Sequence, residues 1–284
     1  MRRIAVKRDM DPGLYVVATP IGNLGDVTRR AVETLESVDV VAAEDTRVTR
    51  GLLNHLGIAA KLVALHAHNE RGGAERVIAW ISGGKSVAFV SDAGTPGVSD
   101  PGALLVAAVR AAGLRVVAIP GVSALTTALS VAGIEADGVV FGGFLPAKGA
   151  ERRARLAQLA AGPWAIALFE SPHRVARTLT DLHAALGERD VVIARELTKM
   201  FETVARVPLA QAAAWIDADE NRRRGEFVLV LEGRPVEVTS ALDPRALLET
   251  LLAELPLKQA VALAVKLTGG KRNELYPLAL ELKK

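Results

Sequence analysis

Short, nearly unbroken aliphatic runs alternate with helix-period stretches along most of this chain, and that alternation leaves few folds open. The first half carries such runs at 14–19, 38–43, 62–65, 87–91 and 115–119. They are built mainly of Val, Ala, Leu and Ile, which suits strands covered on both faces, as in a mostly parallel sheet. Helical patterns lie between them at 26–37, 46–56, 70–82 and 101–112. Asp26, Thr46 and Asp100 stand where N-caps are expected, and Pro101 fits a first helical position. Strand and helix in strict alternation predict a doubly wound α/β domain.

A second α/β segment follows, with strands expected at 139–144, 164–170, 191–196 and 226–231 and helices at 149–160, 172–186 and 208–219. After Gly233 the pattern changes to three short helices at 243–255, 256–267 and 271–282, punctuated by Pro256 and Gly269-Gly270. The expected division is an extension at 1–13, α/β domains at 14–135 and 136–234, and a small helical domain at 235–284. Half of the residues are hydrophobic but only 4% are aromatic, so the core must be aliphatic. With no cysteine, disulfides, thiolate metal sites and a cysteine nucleophile are excluded, and a cytoplasmic location fits. The basic start lacks the apolar run of a signal peptide. The most apolar stretch, 103–119, is broken by Arg110 and Arg115, so no membrane span is expected. A formal charge of +3 is weak support for a polyanionic partner.

Three loops follow strands and open helices. The first, Thr19-Pro20-Ile21-Gly22-Asn23-Leu24-Gly25-Asp26, occupies the place of a dinucleotide fingerprint, and Glu44-Asp45 follows where a ribose-binding carboxylate would sit. A nicotinamide enzyme is therefore one reading. Pro20 argues against it, because proline has neither glycine's freedom nor an N–H to donate. A tight turn without a ligand is the bland alternative. The second loop, Ser91 to Gly102, is almost entirely Ser, Thr, Asp, Gly and Pro. It is longer than the roughly two to six residues an ordinary connection needs. The third, Pro120-Gly121-Val122-Ser123-Ala124, again meets a helix start. Three such loops at one sheet edge point to a single ligand site.

These blocks, in order, resemble the tetrapyrrole methylase superfamily. Ala43-Glu44-Asp45-Thr46-Arg47, His68-Asn69-Glu70, Phe169-Glu170-Ser171-Pro172-His173-Arg174, Ala194-Arg195-Glu196-Leu197-Thr198-Lys199 and Gly225-Glu226-Phe227-Val228-Leu229-Val230 narrow the resemblance. They look like its branch of 16S rRNA cytidine 2′-O-ribose methyltransferases. The resemblance implies two α/β domains, S-adenosylmethionine in the cleft between them, a homodimer, and rRNA of the small ribosomal subunit as partner. It assigns the cofactor to Pro20, Asp92, Gly94, Thr95, Pro96, Val98, Ser99, Ser123, Ala124 and Thr126. Leu168, Phe169, Gly225, Glu226 and Phe227 would complete the pocket from the second segment. The superfamily usually has Gly-Asp-Pro where this chain has Gly94-Thr95-Pro96, and Asp92 stands a few residues earlier as a replacement carboxylate.

Candidate RNA contacts are Arg47, Arg50, Lys148, Arg152, Arg153, Arg155 and Arg174, since Arg and Lys neutralise phosphates. Residues 148, 152 and 155 fall on one helical face. Arg222-Arg223-Arg224 and the lysines of the terminal helices serve equally as solvated charge. Glu196, Lys199 and Glu170 are candidates to remove a hydroxyl proton. His66 and His68 share a strand face without a third ligand, so no metal is expected. Two other readings stay open: a methylase of a porphyrin-like small molecule, and a non-catalytic RNA-binding ribosome factor.

Overall fold

The protein is described by a computed structural model covering residues 10–66, 70–233 and 243–283, without the side chains of Glu70 and Arg71. His68, Asn69 and most of the N-terminal extension lie outside the described residues. The chain divides into two compact units, Met1–Gly233 and Arg234–Lys284.

In the first unit, β1 (Gly13–Val17), β2 (Val40–Ala43), β3 (Leu62–Ala64), β4 (Ser86–Val90) and β5 (Val116–Ile119) form one sheet in the order β3-β2-β4-β1-β5. Every pairing is parallel. β2 and β4 are buried at every position, because helices cover both faces. Those helices are α1 (Arg29–Ser37), α2 (Thr46–Leu56), α3 (Glu70–Ser82), α4 (Ala103–Ala111) and α5 (Ala124–Ala132). The connections leave β1 and β4 toward opposite edges of the sheet, β1 toward β2 and β4 toward β5, and their outgoing loops are the first and second ligand loops. That switch point is where open parallel sheets leave a crevice.

The expected helix starts need correction. The N-cap of α1 is Thr28, whose hydroxyl accepts from Ala31 N–H at 3.1 Å, and not Asp26. Asp45, rather than Thr46, caps α2. α4 begins only at Ala103, after Gly102 at φ +125°, so neither Asp100 nor Pro101 starts it. A Cβ on Gly102 would lie 2.5 Å from the Phe89 ring, which explains the glycine and keeps Asp100 in the loop.

The second sheet runs β6-β7-β10-β8-β9 and is mixed. Its strands are β6 (Val139–Phe144), β7 (Ala165–Glu170), β8 (Asp190–Arg195), β9 (Thr203–Pro208) and β10 (Phe227–Leu231). β6 and β7 are parallel, whereas β10 runs antiparallel to both β7 and β8. Phe227 therefore pairs with both Glu170 and Arg195, bringing the start of β10 to the ends of β7 and β8. β9 has no continuous apolar run. It is an edge strand with alternating exposure, a pattern that one-faced burial produces. On one face Leu168 and Leu229 pack with Leu179 and Leu182 of α7 (Val175–Leu186) and with α6 (Gly149–Ala160) and α8 (Leu209–Asp217). On the other, Val192, Ala194, Val228 and Val230 pack against Ala128 and Ala132 of α5, joining the sheets.

The second unit is a bundle of α9 (Pro244–Glu254), α10 (Leu257–Thr268) and α11 (Arg272–Leu282) around Leu248, Val261, Ala264 and Leu275. No described helix is long and apolar enough to cross a membrane.

Candidate cofactor and substrate site

The three loops are stitched together by the main chain and one hydroxyl. Thr19 and Gly94 exchange both backbone hydrogen bonds, at 2.9 and 3.0 Å. Thr95 Oγ1 donates to the Val122 carbonyl at 3.0 Å, binding the second loop to the third. Thr95 thus performs a local structural task that an ionised aspartate, an acceptor only, would not.

A cavity of about 340 Å³ lies between these loops and the second sheet, within the usual range for small-ligand sites. Gly94, Thr95, Val98, Ser123 and Ala124 line it from the first sheet's side. Phe169, Glu226 and Phe227 line it from the other. Pro20, Asp92, Pro96, Ser99, Thr126 and Gly225 stand behind or beside that lining. Asp92 is exposed, and its carboxylate accepts from Asp45 N–H at 3.0 Å. Thr126 donates back to the Ser123 carbonyl. Leu168 needs correction: strand alternation turns it into the opposite core, while its neighbour Phe169 faces the cavity.

Lys199 lines the cavity and is held between two carboxylates, at 2.8 Å from Glu196 and 2.7 Å from Glu226. The bridge needs two glycines. A Cβ on Gly22 would lie 2.4 Å from Lys199 Cγ, and one on Gly225 2.5 Å from Glu196 Cγ. Burial opposes the ammonium charge, but the two carboxylates outweigh it and hold the Lys199 pKa above its ordinary value. Burial likewise opposes the Glu196 charge, yet Lys199 and the Glu226 N–H pull that carboxyl's pKa below the usual glutamate value. A base works best with a pKa near the working pH, so this pair is poorly suited to removing a proton.

Glu170 is not a base either. Its side chain is fully buried, accepting from Ser171 N–H at 2.8 Å and from Thr178 Oγ1 at 2.5 Å. Arg174 lies 3.4 Å away and also donates to the Leu145 carbonyl. Arg152 closes this network. It donates to Asp181 and Thr178 at 2.6 Å each and approaches Glu170 at 4.0 Å. Only 4% of its side chain is exposed, so the expectation of a phosphate contact at Arg152 is overturned. The face of α6 that carries Arg152 also carries Leu156 and Leu159 and turns inward. Lys148 and Arg153 remain exposed, while Arg155 is half-buried against Gln158. Arg47 and Arg50 are exposed, Arg47 pairing with its neighbour Asp45. Arg222 lies 4.1 Å over the Trp215 ring, and Arg223 pairs with Asp217, so local contacts account for both.

The cavity also uses residues that sequence reading did not assign to the site. Ile21 and Asp100 come from loops that reading had marked; Phe144 ends β6. Ser171, Pro172, Ala194, Leu197 and Val228 enter only because β10 lies between β7 and β8. In the C-terminal unit, Lys258, Arg272, Asn273 and Tyr276 border a shallow depression.

Residues 13–213 match the tetrapyrrole (corrin/porphyrin) methylases, and residues 238–283 match the RsmI C-terminal HTH domain. The ribosomal RNA small subunit methyltransferase I of Escherichia coli O157:H7 is 51% identical over 270 residues, spanning 94% of each chain. The protein of the same name from Xylella fastidiosa (strain Temecula1) is 50% identical over 268 residues, spanning 93% of this chain and 98% of its own. A Thermus thermophilus uroporphyrin-III C-methyl transferase, complexed with S-adenyl homocysteine, shares the fold at a TM-score of 0.54. It is 18% identical, with 77% of this chain and 96% of that one covered. A two-sheet α/β body with three stitched loops, matched along nearly its whole length by these relatives, is a member of the tetrapyrrole methylase family, in the branch of the ribosomal RNA small subunit methyltransferases I.

Proposed function

We infer that this protein transfers the methyl group of S-adenosylmethionine to the 2′-hydroxyl of a cytidine in 16S rRNA of the small ribosomal subunit. The observation that carries this reading is the intact three-loop cavity in a chain about half identical to relatives named for that RNA. The bound S-adenyl homocysteine of the fold relative supports the cofactor.

The residues present fit that cofactor. Ile21, Phe169, Leu197 and Val228 offer apolar walls for a purine, and Gly94 opens the backbone to close approach. Lys199, held between Glu196 and Glu226, lines the wall as a hydrogen-bond donor. The cofactor supplies an activated methyl group; the protein holds the accepting oxygen in line with it and excludes water.

Lys148 and Arg153, with Arg47 and Arg50, are the exposed cations we assign to rRNA phosphates. Lys258 and Arg272 of the C-terminal unit extend that role. The test is label transfer from radioactive S-adenosylmethionine to small subunits or to a precorrin-type tetrapyrrole. Label on a cytidine ribose is expected, whereas label on the tetrapyrrole alone overturns the reading. In the same assay, Lys148→Glu with Arg153→Glu is expected to weaken subunit binding. Its salt dependence should flatten by roughly one unit per lost phosphate contact. Affinity for S-adenosylhomocysteine should not change.

A homodimer and a cytoplasmic location complete the proposal, closed pairs being the commonest oligomers. Light scattering at micromolar concentration should return twice the 29.9 kDa chain mass. A monomer mass rejects the dimer.

A further inference from the structure

Three described carboxylate residues line the cavity: Asp100, Glu170 and Glu226. Glu170 is turned into the core and saturated by donors, and Glu226 is tied to Lys199. Asp100 has no ion pair among the described residues. It sits in the loop before α4, the residue partly open to solvent and its carboxyl half-buried against the cavity.

The neighbouring contact fixes what stands beside it. Ser99, at φ +65°, packs on Gly143, where a Cβ would lie 2.8 Å from Ser99 Oγ. That contact brings the end of β6 against the loop, so Phe144 and Asp100 share one rim. Phe144 is 52% exposed and packs edge-on against Phe169 with centroids 5.8 Å apart. An aromatic face at a cavity mouth suits an unstacked nucleobase.

We propose that Asp100 is the catalytic residue that takes the proton of the methyl-accepting hydroxyl, and that Phe144 is the platform on which the base of the same nucleotide stacks. This rests on the reading of the protein as an rRNA ribose methyltransferase. In the step, the O–H bond breaks and its electron pair stays on the oxygen. That oxygen bonds the methyl carbon, and the sulfur keeps the pair of the broken carbon–sulfur bond. The proton passes to the Asp100 carboxylate and then to solvent.

The electrostatics agree with the placement. Burial of the carboxyl raises the Asp100 pKa, as do the charges of Glu44 at the end of β2 and Asp92 after β4. A hydrogen bond with Ser91 opposes them, and the result is a value of about 6. The cation on the opposite wall, Lys199, is already held by Glu196 and Glu226. Asp100 is therefore ionised at neutral pH yet basic enough to accept a proton, the combination that general-base catalysis favours.

The test is Asp100→Asn in the full chain, assayed on small subunits and by calorimetry with S-adenosylmethionine and S-adenosylhomocysteine. Turnover is expected to fall about 100-fold or more. Both affinities should stay within about threefold of the unaltered protein, a change under one kcal/mol. The unaltered enzyme should lose rate as pH falls through about 6, and the variant should lack that limb. Full turnover in Asp100→Asn overturns the proposal. So does a selective loss of affinity for the charged sulfonium ligand, which would make Asp100 its counter-ion. If the unaltered protein transfers no label to subunits, the underlying reading fails instead. Phe144→Ala should raise KM for subunits about tenfold, with kcat and its pH profile unchanged. An unchanged KM removes the platform.

Discussion

Replacing Gly94 with valine is expected to cost the protein at least about 100-fold in affinity for S-adenosylhomocysteine while leaving most of its fold in place. Gly94 has φ +76°, a region that β-branched side chains avoid at a cost of roughly 1–3 kcal/mol. Its Cβ would also press Ile21 Cγ2 at 3.3 Å, and Ile21 is a wall of the cavity. Relief of either strain pulls apart the paired hydrogen bonds between Thr19 and Gly94, which hold the first and second loops together. The damage falls on loops beyond the strand ends, so the buried strands should keep their register. Calorimetry with S-adenosylhomocysteine measures the loss, and circular dichroism checks the fold. Normal affinity in Gly94→Val would place the cofactor elsewhere.

The second large effect is on stability. Arg152→Met should destabilise the larger unit by about 1.5–3 kcal/mol, because it removes two hydrogen bonds of a buried guanidinium and one of the two cations near the buried Glu170. Glu170 is fully buried, and Arg152 connects it with Thr178 and Asp181 through bonds of 2.6 Å. The urea midpoint, followed by tryptophan fluorescence, should fall with little change in slope. Adding Glu170→Gln should recover part of the loss, since the buried carboxylate that the second cation helped to offset is then gone. If Arg152 were a phosphate contact, the midpoint would not move and subunit binding would weaken. That outcome would reverse the correction made above.

Much of the architecture was legible because it depends on local periodicity. The strand at 139–144 and the helix at 149–160 follow directly from apolar runs and helical spacing. The positions of the three loops follow in the same way. β9 escaped because an edge strand covered on one face carries no continuous apolar run. The helix starts at Thr28 and Ala103 escaped because several Asp, Ser and Thr residues competed for each cap, and only the packing of Gly102 on Phe89 chose between them at α4.

The candidate site divides along the same line. The loops that carry Gly94, Thr95, Ser123 and Ala124 were readable from composition and position, whereas those residues as cofactor contacts came from the family resemblance. The roles of the charged residues were not legible. Spacing put Arg152 on a face with Lys148 and Arg155, but the same helix places it with Leu156 and Leu159, and only the neighbouring α7 shows which face is inside. Glu196 and Lys199 looked like free catalytic groups until Gly22 and Gly225 were seen to fold them into a closed ion pair. Asp100 looked like a cap until its helix began three residues later. Sequence by itself determined the strands other than β9, the loops and the family, because backbone preference and hydrophobic period act over a few neighbouring residues. Tertiary structure decided which charges are neutralised and which face the cavity, because burial and pairing depend on partners tens of residues away in the chain.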